Sequence, residues 1–434
     1  MLSRRFLAAA RPLRRAFALL AGAWLALAGL PEASCAPALT LDEAWHLAEA
    51  ANPTLRTAQA NQVAVEGQRA DTRGLLWNNP LLSAETLRRE GRQPGFSSER
   101  WREWNAGLSQ TFEIAGQQGH RRDAADQDLA ALQAALQELR RQVRTDIEQR
   151  FVQVLALQLR IAIEEEALRL VEDAAAAVRK RVVAGEDSRL DGNLALVEAE
   201  RGHNQLAALR ERLTAARAEL ASALQLAPES LPEVAGKLTP GVPNYTLEQL
   251  LATARGRPQL LALERREAAA ASHLSLERAS TYPDITVGVT VGREGATEAR
   301  ERLIGVNLSI PMPLFRRNAT GIGKATTELT QAQIERQVAG RDIPAQVHAL
   351  WLNLESLRAR VKRLEANVLG SLDQNQQLSA KSYRAGEIGL LQLIVVNRQV
   401  LDGRRDLIDA RRELRLATVA LEAAAGWPAM GEVQ

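Results

Sequence analysis

Histidine is the side chain best placed to hold a metal or move a proton near neutral pH, and this chain has five, at His46, His120, His203, His273 and His348. None stands three or four residues from another, so no two share a helical turn as metal ligands. The single cysteine, Cys35, leaves no internal disulfide and no local zinc cluster. Gly321-Ile322-Gly323-Lys324 has the outline of a phosphate loop without the rest of the motif, and reads as a strand-to-helix turn. Nucleophile-elbow, P-loop and dinucleotide fingerprints are absent. Glu164-Glu165-Glu166 lies in a helical stretch and reads as a solvated face. These residues point away from an enzyme, a cofactor and a resident metal. The rest of the chain sets up elements instead.

Two stretches alternate strictly. In Asp284–Gly292, Ile285, Val287, Val289 and Val291 alternate with Thr286, Gly288, Thr290 and Gly292. In Leu303–Ile310, Ile304, Val306, Leu308 and Ile310 alternate with Gly305, Asn307 and Ser309. Successive strand side chains point to opposite faces, so each strand has an apolar face and a small, polar one. Runs of about nine residues suit a tilted strand crossing a bilayer. Ile285, Val287, Val289, Val291, Ile304, Val306 and Leu308 would then meet lipid, and the small residues would line a wet lumen. Taken alone, the pair also fits a hairpin in a soluble sheet.

The composition favours long helices: Ala, Leu, Glu, Gln and Arg dominate, and aromatics are 4%. The net charge of +3 comes from the N-terminus, because residues 1–35 hold Arg4, Arg5, Arg11, Arg14 and Arg15 against Glu32. Without them 50 basic residues face 51 acidic ones, which removes the compositional case for a nucleic-acid partner. That N-terminus reads as an export signal over residues 1–38, with a basic start, the apolar run Ala16–Leu30 and small residues. Cleavage after Ala36-Pro37-Ala38 would start the mature chain at Leu39. Alternatively, Ala33-Ser34-Cys35 resembles the end of a lipobox and would acylate Cys35, although Glu32 stands where an apolar residue belongs.

The mature sequence reads as two tandem halves, 39–227 and 246–434, joined by an extended, proline-bearing linker over 228–245, with a period of about 200 residues. Thr40-Leu41-Asp42-Glu43 is answered by Thr246-Leu247-Glu248-Gln249, Pro80 by Pro283, and Ala184-Gly185-Glu186 by Ala385-Gly386-Glu387. The order predicts a first strand pair at Leu81–Arg88 and Trp104–Phe112, with Arg89–Arg102 as a polar surface loop. Gln117–Val183 lacks proline and carries Leu129, Leu132, Leu136, Leu139, Val143, Ile147, Phe151, Val154, Leu157 and Ile161 at helical spacing. Such a helix would be about 100 Å long. Gly185 breaks it, and Ser188 can cap the next helix, to about Leu226. The second half repeats the hairpin as about Thr320–Ala385 and Leu390–Ala425, with a kink or break expected at Pro344. The fold class is mainly α with a small β part. Four strands cannot close a membrane barrel, and open edges are not tolerated in lipid, so several chains must share one. Three copies would give twelve strands, although the strand count alone does not set the copy number.

Strand pairs set between long helices in two tandem halves resemble the TolC-like outer-membrane efflux family (outer membrane factors), from Leu41 to about Trp427. Asn79-Pro80-Leu81-Leu82, Ser109-Gln110-Thr111-Phe112-Glu113-Ile114 and Ser309-Ile310-Pro311-Met312-Pro313-Leu314-Phe315-Arg316-Arg317-Asn318 are similar to the branch serving cobalt–zinc–cadmium cation exporters. The resemblance implies a homotrimer in the outer membrane of a Gram-negative bacterium, with a twelve-stranded β-barrel continued by a periplasmic α-helical barrel. It implies a passive exit duct of a tripartite pump, with a periplasmic adaptor (membrane fusion protein) and an inner-membrane RND-type transporter selecting heavy-metal cations. By the same resemblance Gly185, Glu186, Gly386 and Glu387 would dock the adaptor, and Asp191 and Tyr383 match gate residues. The gate departs from the family where Gln392 stands in place of an acid and Ile388 in place of an arginine. Two rivals remain: an exit duct for a drug exporter or type I protein secretion, and a non-spanning periplasmic coiled-coil scaffold.

Overall fold

The computed structural model describes residues 38–427 except 92–98, 228, 240–244 and 297–299. The leader and Cys35 lie outside them. In the unit that begins at Leu39, the helices α1 (Leu41–Ala51) and α2 (Pro53–Thr72) precede β1 (Leu81–Gly91) and β2 (Glu99–Phe112). The long helices α3 (Gln117–Ala184) and α4 (Arg189–Ala223) follow. Next come α5 (Leu247–Arg255), α6 (Pro258–Ala279), β3 (Ile285–Glu294) and β4 (Glu301–Ser309). The chain then runs through α7 (Ala319–Arg363), a π-helical turn (Leu364–Leu369), α8 (Gly370–Arg384) and α9 (Leu390–Ala425). Among the described residues no helix is long and apolar enough to cross a membrane.

Local chemistry explains the helix starts. Thr40 and Glu43 form a reciprocal capping box on α1, and Thr246 and Gln249 form the same box on α5. Asn52 Oδ1 accepts from the Thr54 and Leu55 amides at 2.9 and 3.2 Å, and Pro53 opens α2 where no N–H is needed. Ser188 caps α4 by accepting from the Asp191 amide at 3.1 Å, as its position predicts. The stripe along α3 is the packing face: Ile147, Phe151, Val154 and Ile161 are buried. Ile147, Phe151 and Val154 join Leu220, Leu224 and Ile408 in one core, and Ile161 joins Leu206 and Leu209 in another. A third core gathers Tyr245, Leu250, Ile343, Val347, Leu354, Leu414 and Leu421.

Several expectations need correction. Pro344 does not end its helix; α7 runs through it, with Ile343 and Val347 clamped in the third core, and the helix changes to π geometry only at Leu364–Leu369. Arg89–Arg102 is not all loop, because the ladder continues to Gly91↔Glu99. Charge pairing supports the extension: Arg89 meets Glu103 at 2.9 Å and Arg100 meets Glu90 at 3.2 Å. The linker is extended but packed, since Leu39 pairs with Val234 and both Val234 and Leu238 are buried beside Phe151. Glu164 is not solvated: it is 6% exposed and paired with Arg405.

Candidate functional site

The four strands form one antiparallel sheet in the order β1-β2-β3-β4. Directly paired residues share a face, so the register sorts the sheet. One face carries the rows Leu82–Leu108–Val289–Val306 and Ala84–Ala106–Val291–Ile304. The other carries Ser83–Gly107–Thr290–Gly305 and Glu85–Asn105–Gly292–Leu303. All seven residues expected to face lipid, Ile285, Val287, Val289, Val291, Ile304, Val306 and Leu308, lie on the first face. Ile304, Val306 and Leu308 are 69, 77 and 65% exposed. A continuous apolar face left open is the mark of an unpartnered surface. β1 and β4 each have one neighbour, so the sheet ends in two unpaired ladders of N–H and C=O groups, which water or another chain must satisfy.

The small residues of the second face do more than line it. Gly288 and Gly292 lie beneath the Asn307 and Asn105 carboxamides of the adjacent strands, where a Cβ would collide. Thr111 and Thr286 share a hydroxyl hydrogen bond of 2.8 Å between β2 and β3. This face also holds Glu103, Glu294 and Glu301 toward the hairpin ends.

At the far end of the helices lie two turns of the same geometry. α3 stops at Gly185 (φ 78°), and the Glu186 amide donates to the Arg181 carbonyl at 2.9 Å. α8 stops before Gly386 (φ 75°), and the Glu387 amide donates to the Ser382 carbonyl at 2.9 Å. Both are left-handed helix ends, which glycine adopts without a Cβ clash. Gly185, Glu186, Gly386 and Glu387 are all exposed. Asp191 sits in the first turn of α4, its Oδ2 accepting from the Ser188 hydroxyl at 2.6 Å. Tyr383 packs against the cluster of Val178, Ala195 and Leu390, with the Arg181 guanidinium 5.9 Å from its ring centre. Its hydroxyl is buried without a hydrogen-bond partner among the described residues. Gln392 and Ile388 differ: Gln392 is exposed and Ile388 half-buried. Tyr383 therefore joins the two helical hairpins, whereas Asp191 and Gln392 stand at the starts of α4 and α9.

A polar seam that the sequence reading missed runs between α3 and α9. Arg405, Asp409, Arg412 and Arg415 of α9 meet Glu164, Arg160, Gln153 and Glu148 of α3. The numbers rise on one helix as they fall on the other, so the helices are antiparallel. The three-to-four-residue spacing on α9 was the available signal. Below the seam, Glu422 accepts from the Tyr245 hydroxyl at 3.2 Å. Burial, reinforced by Glu148, pushes the Glu422 carboxyl up to about 7. Among the described residues no group of three His, Cys, Asp or Glu side chains could hold a metal.

The architecture is an open four-stranded sheet with one apolar face, set on long antiparallel helices. Residues 250–427 match the outer membrane efflux protein family. The chain is similar to the cobalt-zinc-cadmium resistance protein CzcC of Cupriavidus metallidurans, 27% identical over 86% of this chain and 85% of that one. It is also similar to the pyoverdine export outer membrane protein OpmQ of Pseudomonas putida, 27% identical over 91% and 88%. The Campylobacter jejuni CmeC outer membrane channel shares the fold, with a TM-score of 0.76 at 13% identity, covering 89% of this chain and 85% of that one. The second half of the chain thus matches the outer membrane efflux protein family, and the chain along most of its length is similar to the relatives named above.

Proposed function

We propose that three copies of this chain close a twelve-stranded barrel and form the passive outer-membrane exit duct of a tripartite efflux pump for heavy-metal cations. The observation that carries this is the sheet: a lipid-compatible face on one side, small and acidic residues on the other, and two unpaired edges. β1 of one copy pairing with β4 of the next removes every edge, as lipid requires. The helices would continue the duct through the periplasm as two tandem halves. The exposed turns at Gly185-Glu186 and Gly386-Glu387 would meet an adaptor that links the duct to an energised inner-membrane transporter. Asp191, Tyr383 and Gln392 would surround the constriction at that end.

The cation assignment rests on the similarity to CzcC. The similarity to OpmQ favours a second reading, the export of pyoverdine or a similar solute. Complementation separates the two. In cells that keep the adaptor and transporter but lack this chain, restored resistance to cobalt, zinc and cadmium supports the first. Restored secretion of pyoverdine without restored resistance supports the second.

A further inference from the structure

The apolar face of the sheet ends in a cluster of arginines. Arg88 stands directly opposite Arg102, Arg293 directly opposite Arg302, and Arg293 also pairs with Trp104, two residues from Arg102. All four belong to the same face as Val289 and Val306, and all four are exposed. Like charges directly opposite each other destabilise a sheet, so the arrangement needs counter-charge. Among the described residues none of the four has an ion-pair partner. Among the described strand residues the one carboxylate on this face, Glu90, is taken by Arg100 at 3.2 Å, and Glu103, Glu294 and Glu301 are on the opposite face. The cluster also lies at the strand ends remote from the helices, which join the sheet at Leu81, Phe112, Ile285 and Ser309.

We infer that Arg88, Arg102, Arg293 and Arg302 form a binding surface for the phosphate groups of a phosphorylated glycolipid in the outer leaflet. The inference rests on the outer-membrane reading of the sheet. With helices in the periplasm, the remote strand ends face the outer leaflet. Long arginine stems can lie along the apolar band and lift the guanidinium to headgroup level, where Trp104 also sits. Guanidinium binds phosphate through two parallel hydrogen bonds. The four arginines spread across all four strands, three spacings of about 4.8 Å each, a width that suits a headgroup carrying two phosphates better than one with a single phosphate.

The test uses the full-length protein in detergent with three purified lipids: a bisphosphorylated lipid A, its dephosphorylated form, and phosphatidylglycerol. Retained lipid per chain is read by native mass spectrometry, and channel conductance is recorded from the same preparations. Wild type should retain the bisphosphorylated lipid over both others. Combined replacement of the four arginines by glutamine should weaken retention on the order of a thousandfold, and replacement by lysine should restore part of it, because the charge returns without the paired hydrogen bonds. Equal retention of the phosphate-free lipid or of phosphatidylglycerol by wild type overturns the inference without any variant. So does a glutamine variant that conducts and still retains the glycolipid. A wild type that never conducts removes the membrane reading instead.

Discussion

Arg405 holds Glu164 with two donors, Nε on Oε1 and Nη2 on Oε2, both at 2.5 Å. The Glu164 side chain is 6% exposed and that of Arg405 16%, so the pair is shielded from water. It fixes α9 against α3 at one end of the polar seam. Breaking a buried pair from one side leaves the other charge uncompensated and costs about 3 kcal/mol or more. Glu164→Gln should lower stability by that amount in chemical denaturation, with Asp402 offsetting part of the loss from 2.9 Å away. A change below about 0.5 kcal/mol would class the pair with surface ion pairs.

Glu422 gives the helical part a pH dependence of definite sign. Its carboxyl is raised from 4.5 to about 7, first by burial and then by Glu148, whose own carboxyl burial raises despite Arg415. A folded-state value above the unfolded one means that the folded protein holds the extra proton. The stability it contributes is full below pH 4.5 and is lost as pH rises through about 7. Thermal midpoints should fall across that window, by up to about 3 kcal/mol of stability. Glu422→Gln should flatten the profile. An unchanged slope in the variant would contradict the assignment.

The two helical turns should respond alike to a side chain. Gly185 and Gly386 both hold φ near +75°, where a Cβ is strained, and open space surrounds both. Alanine at either should cost about 1 kcal/mol by backbone strain alone, read as a drop in melting temperature. Glu186→Ala and Glu387→Ala should leave stability nearly unchanged. Their effect should fall on adaptor capture in a pull-down with the purified adaptor.

The faces of the sheet predict opposite tolerances at adjacent positions. Val306→Arg places a cation at the centre of the apolar face, a change worth about 2–4 kcal/mol against membrane insertion. Asn307→Ser alters only the opposite face and should insert normally. Membrane fractionation of both variants distinguishes them. Equal recovery in the membrane would argue against lipid on the Val306 side.

Much of this was legible in the residues. Alternation at Ile285–Val291 and Ile304–Leu308 marks a face because strand side chains have a period of two. Gly185 and Gly386 mark helix ends because few other residues accept their backbone geometry. What was hidden depends on partners distant in sequence. Glu164 looks solvated until Arg405, 241 residues away, closes over it. Arg89 and Arg100 look like loop residues until Glu103 and Glu90 stand across from them. Pro344 looks like a break until Ile343 and Val347 are seen locked in a core. At the candidate gate, Asp191 and Tyr383 carried no local signal beyond resemblance. Their surroundings, the Ser188 cap and the Val178–Ala195–Leu390 cluster, emerge only from packing.

Single-channel recording tests the central claim most directly. The mature protein, extracted from membranes and reconstituted into planar bilayers, should conduct in discrete steps. Asp191→Ala or Tyr383→Phe should change their size or open time. Steps untouched by either substitution would keep the duct and remove the constriction from these residues. A protein that is soluble without detergent and never conducts would contradict the account.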